Sequence, residues 1–262
     1  MAGLEALAPF LDIAQEALFA MVAVFARVGA AVALLPGFGE TGLPTRVKLG
    51  AAIAFTMVVW PAVAPLEALA GADAAGVGRA VGAEAVAGLL LGLSVRLLIF
   101  ALQTAGSIAA QATSVAQMFG EGLTADPQPA YSNLLLIAGV ALAFAIGLPE
   151  YAAAALIGSY DTIPFATFPT DADIAGWGVR RVAGGFATAM TIATPFLVAA
   201  FAYNLALGAI NKAMPQLMVA FVGAPAITMG ALLLMMLVTP LAMAFWSQDL
   251  RAVLTAPFSA YP

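Results

Sequence analysis

Four charged residues lie in or beside long apolar stretches, and their chemistry is the first question the chain poses. Arg27 interrupts the run FARVGAAVALLPGFG about ten residues into an apolar segment. A charge at that depth is costly and marks a functional site unless it snorkels or meets a carboxylate. Glu84 and Arg96 are twelve residues apart, about three helical turns. They share a face but are too distant to pair, so each is expected to bond to a neighbouring subunit or to water. Together with Glu150, these groups could line the ion path of a secondary transporter.

Enzyme chemistry finds little to work with. The chain has no histidine and no cysteine, which removes Ser-His and Cys-His nucleophiles, His- or thiolate-held zinc and His-held haem. Gly158-Ser159-Tyr160-Asp161 has the Tyr-Asp half of an aspartyl intramembrane protease, but that reaction needs two carboxylates sharing a proton, and no GxGD partner exists. Neither a GxxxxGKS loop nor a GxGxxG turn offers a nucleotide site. The net charge of -5 comes from scattered groups, with no basic stripe for nucleic acid. The expectation is a non-enzyme with no cofactor and no metal.

The elements that must position these residues are helices in an apolar solvent. Of 262 residues, 63% are hydrophobic and 9% charged, with a mean hydropathy of +1.03; a soluble domain carries about 25% charge. Charge-free runs cover 49 to 66, 97 to 120, 127 to 149, 182 to 211 and 213 to 248, each near or above the roughly 20 residues a membrane helix needs. A sixth segment spans 9 to 35. The fold class is therefore all-α, an integral membrane-type helical protein with about six apolar segments. Helices are expected over about 10 to 35, 47 to 66, 79 to 118, 130 to 160, 177 to 211 and 215 to 246. The first sixteen residues lack the basic stretch of a secretory signal, so the N-terminus reads as mature.

Several details refine this outline. The last two segments hold Pro195 and Pro225 and are expected to be kinked or to form helical hairpins. Gly78 with Gly82 and Gly88 with Gly92, plus Ala105, Gly106, Ala109 and Ala110, allow close helix packing. Met214, Met218, Met229, Met235, Met236 and Met243 read as core filling. Lys and Arg divide three against four between alternate sides, so they give no orientation.

At this point a resemblance emerges. Phe25-Ala-Arg27-Val-Gly29, Pro36-Gly-Phe38-Gly39 and Leu43-Pro44-Thr-Arg46-Val resemble the N-terminal pattern of the FliR family, the R subunit of the flagellar type III protein export gate, with its virulence counterparts. Leu102-Gln-Thr-Ala-Gly106 through Gln111, Ala125-Asp126-Pro127 and Ser159-Tyr160-Asp-Thr-Ile-Pro164 resemble its central region. Ala193-Thr-Pro195, Asn211-Lys212-Ala-Met-Pro215-Gln216-Leu-Met-Val219 and Gly223-Ala-Pro225 resemble its C-terminal element, with Lys212 where Arg is usual. Departures occur at Ser107, at Thr113-Ser114 and at Leu148-Pro149-Glu150.

The resemblance implies one export-gate domain over 1 to 262 and a non-enzymatic pore component. Its partners would be P-type and Q-type export-gate membrane subunits, a switch-type export membrane protein and unfolded secreted substrates, in a hetero-oligomeric helical assembly at the bacterial inner membrane and flagellar basal body, much of it on the periplasmic side. Arg27, Pro36, Lys212, Pro215 and Gln216 are expected to serve assembly. The matching family region forms a plug across the closed pore, which points to residues 106 to 129. There Gln111, Gln117, Met118, Phe119, Gly120 and Gly122 combine polar, bulky and torsionally free positions, as irregular backbone in an apolar protein requires cover by protein or a wet cavity.

Overall fold

A computed structural model describes residues 8 to 40, 42 to 63, 72 to 113, 129 to 214 and 219 to 258, with backbone alone for 8 to 13, 211 and 219 to 226. The described residues form seven α-helices and no strand. They are α1 (Ala8–Val32), α2 (Thr45–Val63), α3 (Ala74–Ala112), α4 (Ala130–Ala145), α5 (Leu148–Thr162), α6 (Asp171–Ala213) and α7 (Val219–Thr255). Five of them are long and apolar enough to cross a membrane, or six spans result if α4 and α5 count together as one broken span. The all-α membrane-type fold with about six apolar segments is thus observed.

Several expected boundaries change, and α3 runs from Ala74 to Ala112 rather than from 79 to 118. The segment 130 to 160 is two helices, because Gly147 adopts φ 90° and Pro149 follows at the start of α5. A left-handed glycine ends one helix, and proline without its N–H fits only the first turn of the next. α6 begins at Asp171 rather than near 177, since Thr170 caps it: the Asp173 amide donates to Thr170 Oγ1 at 3.2 Å, and the Thr170 hydroxyl donates back to Asp173 Oδ2 at 2.6 Å. α7 runs on to Thr255, because SQDLRAVLT is polar enough to lower hydropathy yet holds nothing that breaks a helix.

Neither proline-bearing segment folds back on itself. α6 is uninterrupted through Pro195, and α7 through Pro225. The hairpin lies instead between them. Thr188, early in α6, donates to Asp249 Oδ2, late in α7, at 2.8 Å, as two antiparallel neighbours require.

The chain divides into two compact units. The first comprises residues up to 96, 147 to 181 and 251 onward. In it α2 packs on α1 and α5, and Phe38 meets Phe55 edge-on with centroids 5.8 Å apart. Gly88 and Gly92 bring the α3 and α1 backbones together: a Cβ at Gly88 would overlap the Arg27 carbonyl, and one at Gly92 would lie 2.7 Å from the Ala31 oxygen. Gly78 has open space instead, so only the second glycine pair makes a helix contact.

The second unit, 97 to 146 with 182 to 250, gathers α3, α4, α6 and α7 around fully buried Trp246, whose indole N–H donates to the Leu98 carbonyl at 2.9 Å. Gly106 faces Ser132, where a Cβ would stand 2.5 Å from Cα, and the Ser132 hydroxyl donates to the Gln103 carbonyl at 2.9 Å. Ala105, Ala109 and Ala110 are buried as expected. The methionines depart from their expected role. Met243 is buried, but Met229 and Met236 are exposed, the latter by 71%, beside exposed Leu237 and Leu241. Among the described residues nothing lies against that face of α7.

Candidate functional site, a buried ionic cluster

Arg27 comes from the C-terminal half of α1 and Glu84 from α3, and both are 0% exposed. Arg27 Nε lies 2.8 Å from Glu84 Oε2, and Nη2 donates to Oε1 at 2.9 Å. Nη2 makes the hydrogen bond and Nε the close ion contact, so two nitrogens of the guanidinium face the carboxylate. Nη2 also donates to the Ile163 carbonyl at 3.0 Å, and Nη1 to Ser159 Oγ at 2.9 Å. The Ser159 hydroxyl in turn donates to the Leu156 carbonyl at 2.6 Å.

The carboxylate is equally engaged. Tyr160 donates its hydroxyl to Glu84 Oε2 at 2.9 Å, while the Ala166 amide donates to Oε1 at 3.0 Å. The Tyr160 ring lies under the guanidinium, 3.6 Å from Cζ to its centroid, a cation-π contact strengthened by the absence of water. Every element around the cluster contributes: α1, α3, the last turn of α5 and the loop 163 to 170. Ala166 is the only non-glycine residue among those described with positive φ, at 57°. Its strained backbone is held where its amide reaches Glu84.

Both members of the earlier expectation for Glu84 and Arg96 are corrected. Each pairs within the chain, neither with a neighbouring subunit nor with water alone. Arg96 Nη1 reaches Glu40 Oε1 at 2.6 Å, half-buried. The reason is topological: the loop after α1 and the C-terminal half of α1 both return to α3. Charges considered for an ion path therefore neutralise one another, and Glu150 lies exposed on α5.

The other positions are distributed more widely. Pro36 is buried in the turn after α1, next to Gly37 at φ 82°. Lys212 is exposed in the last turn of α6, where a cation complements the helix dipole. Gln111 is exposed near the end of α3. Gln117, Met118, Phe119, Gly120, Gly122, Pro215 and Gln216 lie outside the described residues, as do Ser114 and Met218.

Ser159, Tyr160 and the Ile163 carbonyl escaped notice as partners of Arg27, and Tyr160 and the Ala166 amide as partners of Glu84. One signal was available: a buried arginine demands a carboxylate, and Glu84 is one of few inside an apolar stretch. The cluster holds groups that bond rather than react, and among the described residues no group of acidic side chains could hold a metal.

Comparison with known proteins agrees with this picture. Residues 18–253 match the family model described as bacterial export proteins, family 1. Over 234 residues the chain is 32% identical to a flagellar biosynthetic protein FliR of Caulobacter vibrioides, covering 88% of the chain and 92% of the relative. It is 29% identical over 245 residues to a protein of the same description from Pectobacterium carotovorum subsp. carotovorum, covering 90% and 92%. An apolar chain, helical throughout its described elements and matched over residues 18–253, belongs to the bacterial export proteins of family 1, the FliR family.

Proposed function

We propose that the chain is the R-type subunit of a flagellar type III export gate, a non-enzymatic part of the pore through which unfolded flagellar proteins cross the inner membrane. The observation that carries this reading is the match along residues 18–253 to an export family, with relatives named as flagellar biosynthetic proteins and covered over 92% of their length. The exposed apolar side chains support it. Phe201 on α6 and Met236, Leu237 and Leu241 on α7 stand open in the second unit, an apolar face that lipid or partner helices would cover. P-type and Q-type subunits are the proposed cover, with a switch-type membrane protein beside them and much of the assembly on the periplasmic side.

The test is co-expression. The chain made alone aggregates, and with P- and Q-type subunits it is recovered as a complex that restores flagellar export to a strain lacking it. A stable homomer in detergent that conducts ions in liposomes in response to a small substrate overturns the proposal.

Within the same reading, the segment that follows α3 inside residues 106 to 129 forms the plug, with Met118 and Phe119 across the axis, while residues 106 to 112 are the last turns of α3. The support is the family resemblance and the pair of glycines at 120 and 122. Replacing 112 to 122 by a Gly-Ser linker leaves the complex assembled and makes cells leaky to small ions; a closed-level conductance in that complex removes the assignment.

A further inference from the structure

Along the first turns of α6, inside the first unit, a cleft of about 460 Å³ opens between that helix, the 163 to 170 loop and Phe258. Its volume falls within the roughly 300–1,000 Å³ of small-molecule pockets. Pro164, Phe168, Pro169, Ile174, Trp177 and Phe258 wall it. Phe168 is 51% exposed beside it, so the chain leaves one of its own aromatic rings only half covered there.

Two opposite charges stand among these apolar walls. Asp173 and Arg180 both line the cleft, seven residues apart and therefore on one face of α6, two turns from each other. Arg180 folds back toward the helix start across Gly176: a Cβ on that glycine would lie 3.3 Å from Arg180 Nη1. The bare glycine leaves room for the guanidinium to lie back along the helix. Asp173 Oδ2 accepts the Thr170 hydroxyl, and a carboxylate retains lone pairs for further donors.

Charge and position together point to the occupant. Asp171–Ile210 is long and apolar enough to span a membrane, and the cleft occupies its first turns. Here the chain passes from a polar loop to an apolar helix, so a spanning placement of α6 would bring the cleft to the layer where lipid headgroups meet acyl chains. Trp177, its indole N–H bonded to the Pro257 carbonyl at 3.3 Å, is the residue type favoured at that level. A headgroup carrying both signs satisfies both rim charges, whereas an anionic lipid leaves the carboxylate opposed and an uncharged peptide segment leaves both charges unmatched.

We propose that this cleft binds a zwitterionic phospholipid with an ethanolamine headgroup. Its phosphate lies on Arg180, its ammonium on Asp173, and one acyl chain runs along Phe168, Trp177 and Phe258.

The assembled complex is purified in mild detergent, and its phospholipid is counted by extraction and native mass spectrometry. Delipidated complex is then offered vesicles of equal phosphatidylethanolamine and phosphatidylglycerol. The wild type retains one phosphatidylethanolamine per chain. Arg180→Gln lowers retention about fivefold, the factor for one cation lost at a headgroup layer, while Arg180→Lys holds it near the wild-type level. Gly176→Leu lowers it too, by displacing the guanidinium without changing charge. Asp173→Asn keeps a phospholipid but shifts the choice toward phosphatidylglycerol. Wild-type retention in both Arg180→Gln and Gly176→Leu overturns the proposal, as does a photo-reactive side chain at 168 that crosslinks to a partner chain instead of lipid.

Discussion

Arg27 and Glu84, 57 residues apart in sequence, meet side-on through two contacts of 2.8 and 2.9 Å with no exposure to solvent. The pair ties α1 to α3, and its remaining bonds draw in α5 and the 163 to 170 loop. Removing either partner leaves a buried charge whose other ligands do not neutralise it.

Arg27→Leu is therefore expected to cost about 3–5 kcal/mol and to deplete the assembled complex in membranes, measured by native electrophoresis and thermal melting. Changing both residues to methionine should recover much of the loss, since a packed apolar pair has no desolvation penalty to offset. A complex that carries Arg27→Leu, assembles normally and no longer exports would make Arg27 a channel-lining residue instead.

The two GxxxG pairs of α3 should separate in mutagenesis. Gly88→Ala places a methyl group against the Arg27 carbonyl, and overpacking of this kind costs roughly 1–3 kcal/mol. Gly78→Ala meets open space and gains roughly 0.5–1 kcal/mol of helix preference. Limited proteolysis of the two variants should show opposite shifts from the wild type; equal behaviour would refute the backbone contact.

Ala166 offers a stabilising change. At φ 57° an alanine carries roughly 1–2 kcal/mol of left-handed strain that glycine lacks. Ala166→Gly retains the amide that reaches Glu84 and should raise the melting temperature, whereas Ala166→Val should lower it. A fall in both would mean that the loop owes its shape to the alanine methyl.

Trp246 tests the second unit separately. Trp246→Phe removes the bond to the Leu98 carbonyl and should cost about 1 kcal/mol; Trp246→Ala also opens a cavity and should cost about 3–5 kcal/mol. The readout is detergent-resistant folding followed by near-ultraviolet circular dichroism. A loss for Phe as large as that for Ala would place the stabilisation in the hydrogen bond.

Much of the helical outline was legible because charge-free runs in this chain coincide with helices. The break at Gly147 was not, since Ala130 to Thr162 stays apolar across it and hydropathy carries no information about φ. Gly147 followed by Pro149 was the legible clue. The need of Arg27 for a carboxylate was likewise readable, but its choice of Glu84 depends on how α1 crosses α3, which is set by close approach at Gly88 and Gly92. Met236 was misassigned for a different cause: an apolar residue looks the same whether its neighbours belong to its own chain or to something beyond it.

The length of α6 has a geometric corollary for the membrane. Its charge-free stretch, residues 182 to 211, measures about 45 Å at roughly 1.5 Å per residue, half as long again as the ~30 Å of a hydrocarbon slab. Tilt alone would have to reach about 48° to absorb that mismatch, outside the range of about 0–40° that membrane helices adopt. One end of that stretch then stands beyond the hydrocarbon while remaining apolar, which is where the proposed partner subunits would supply its cover.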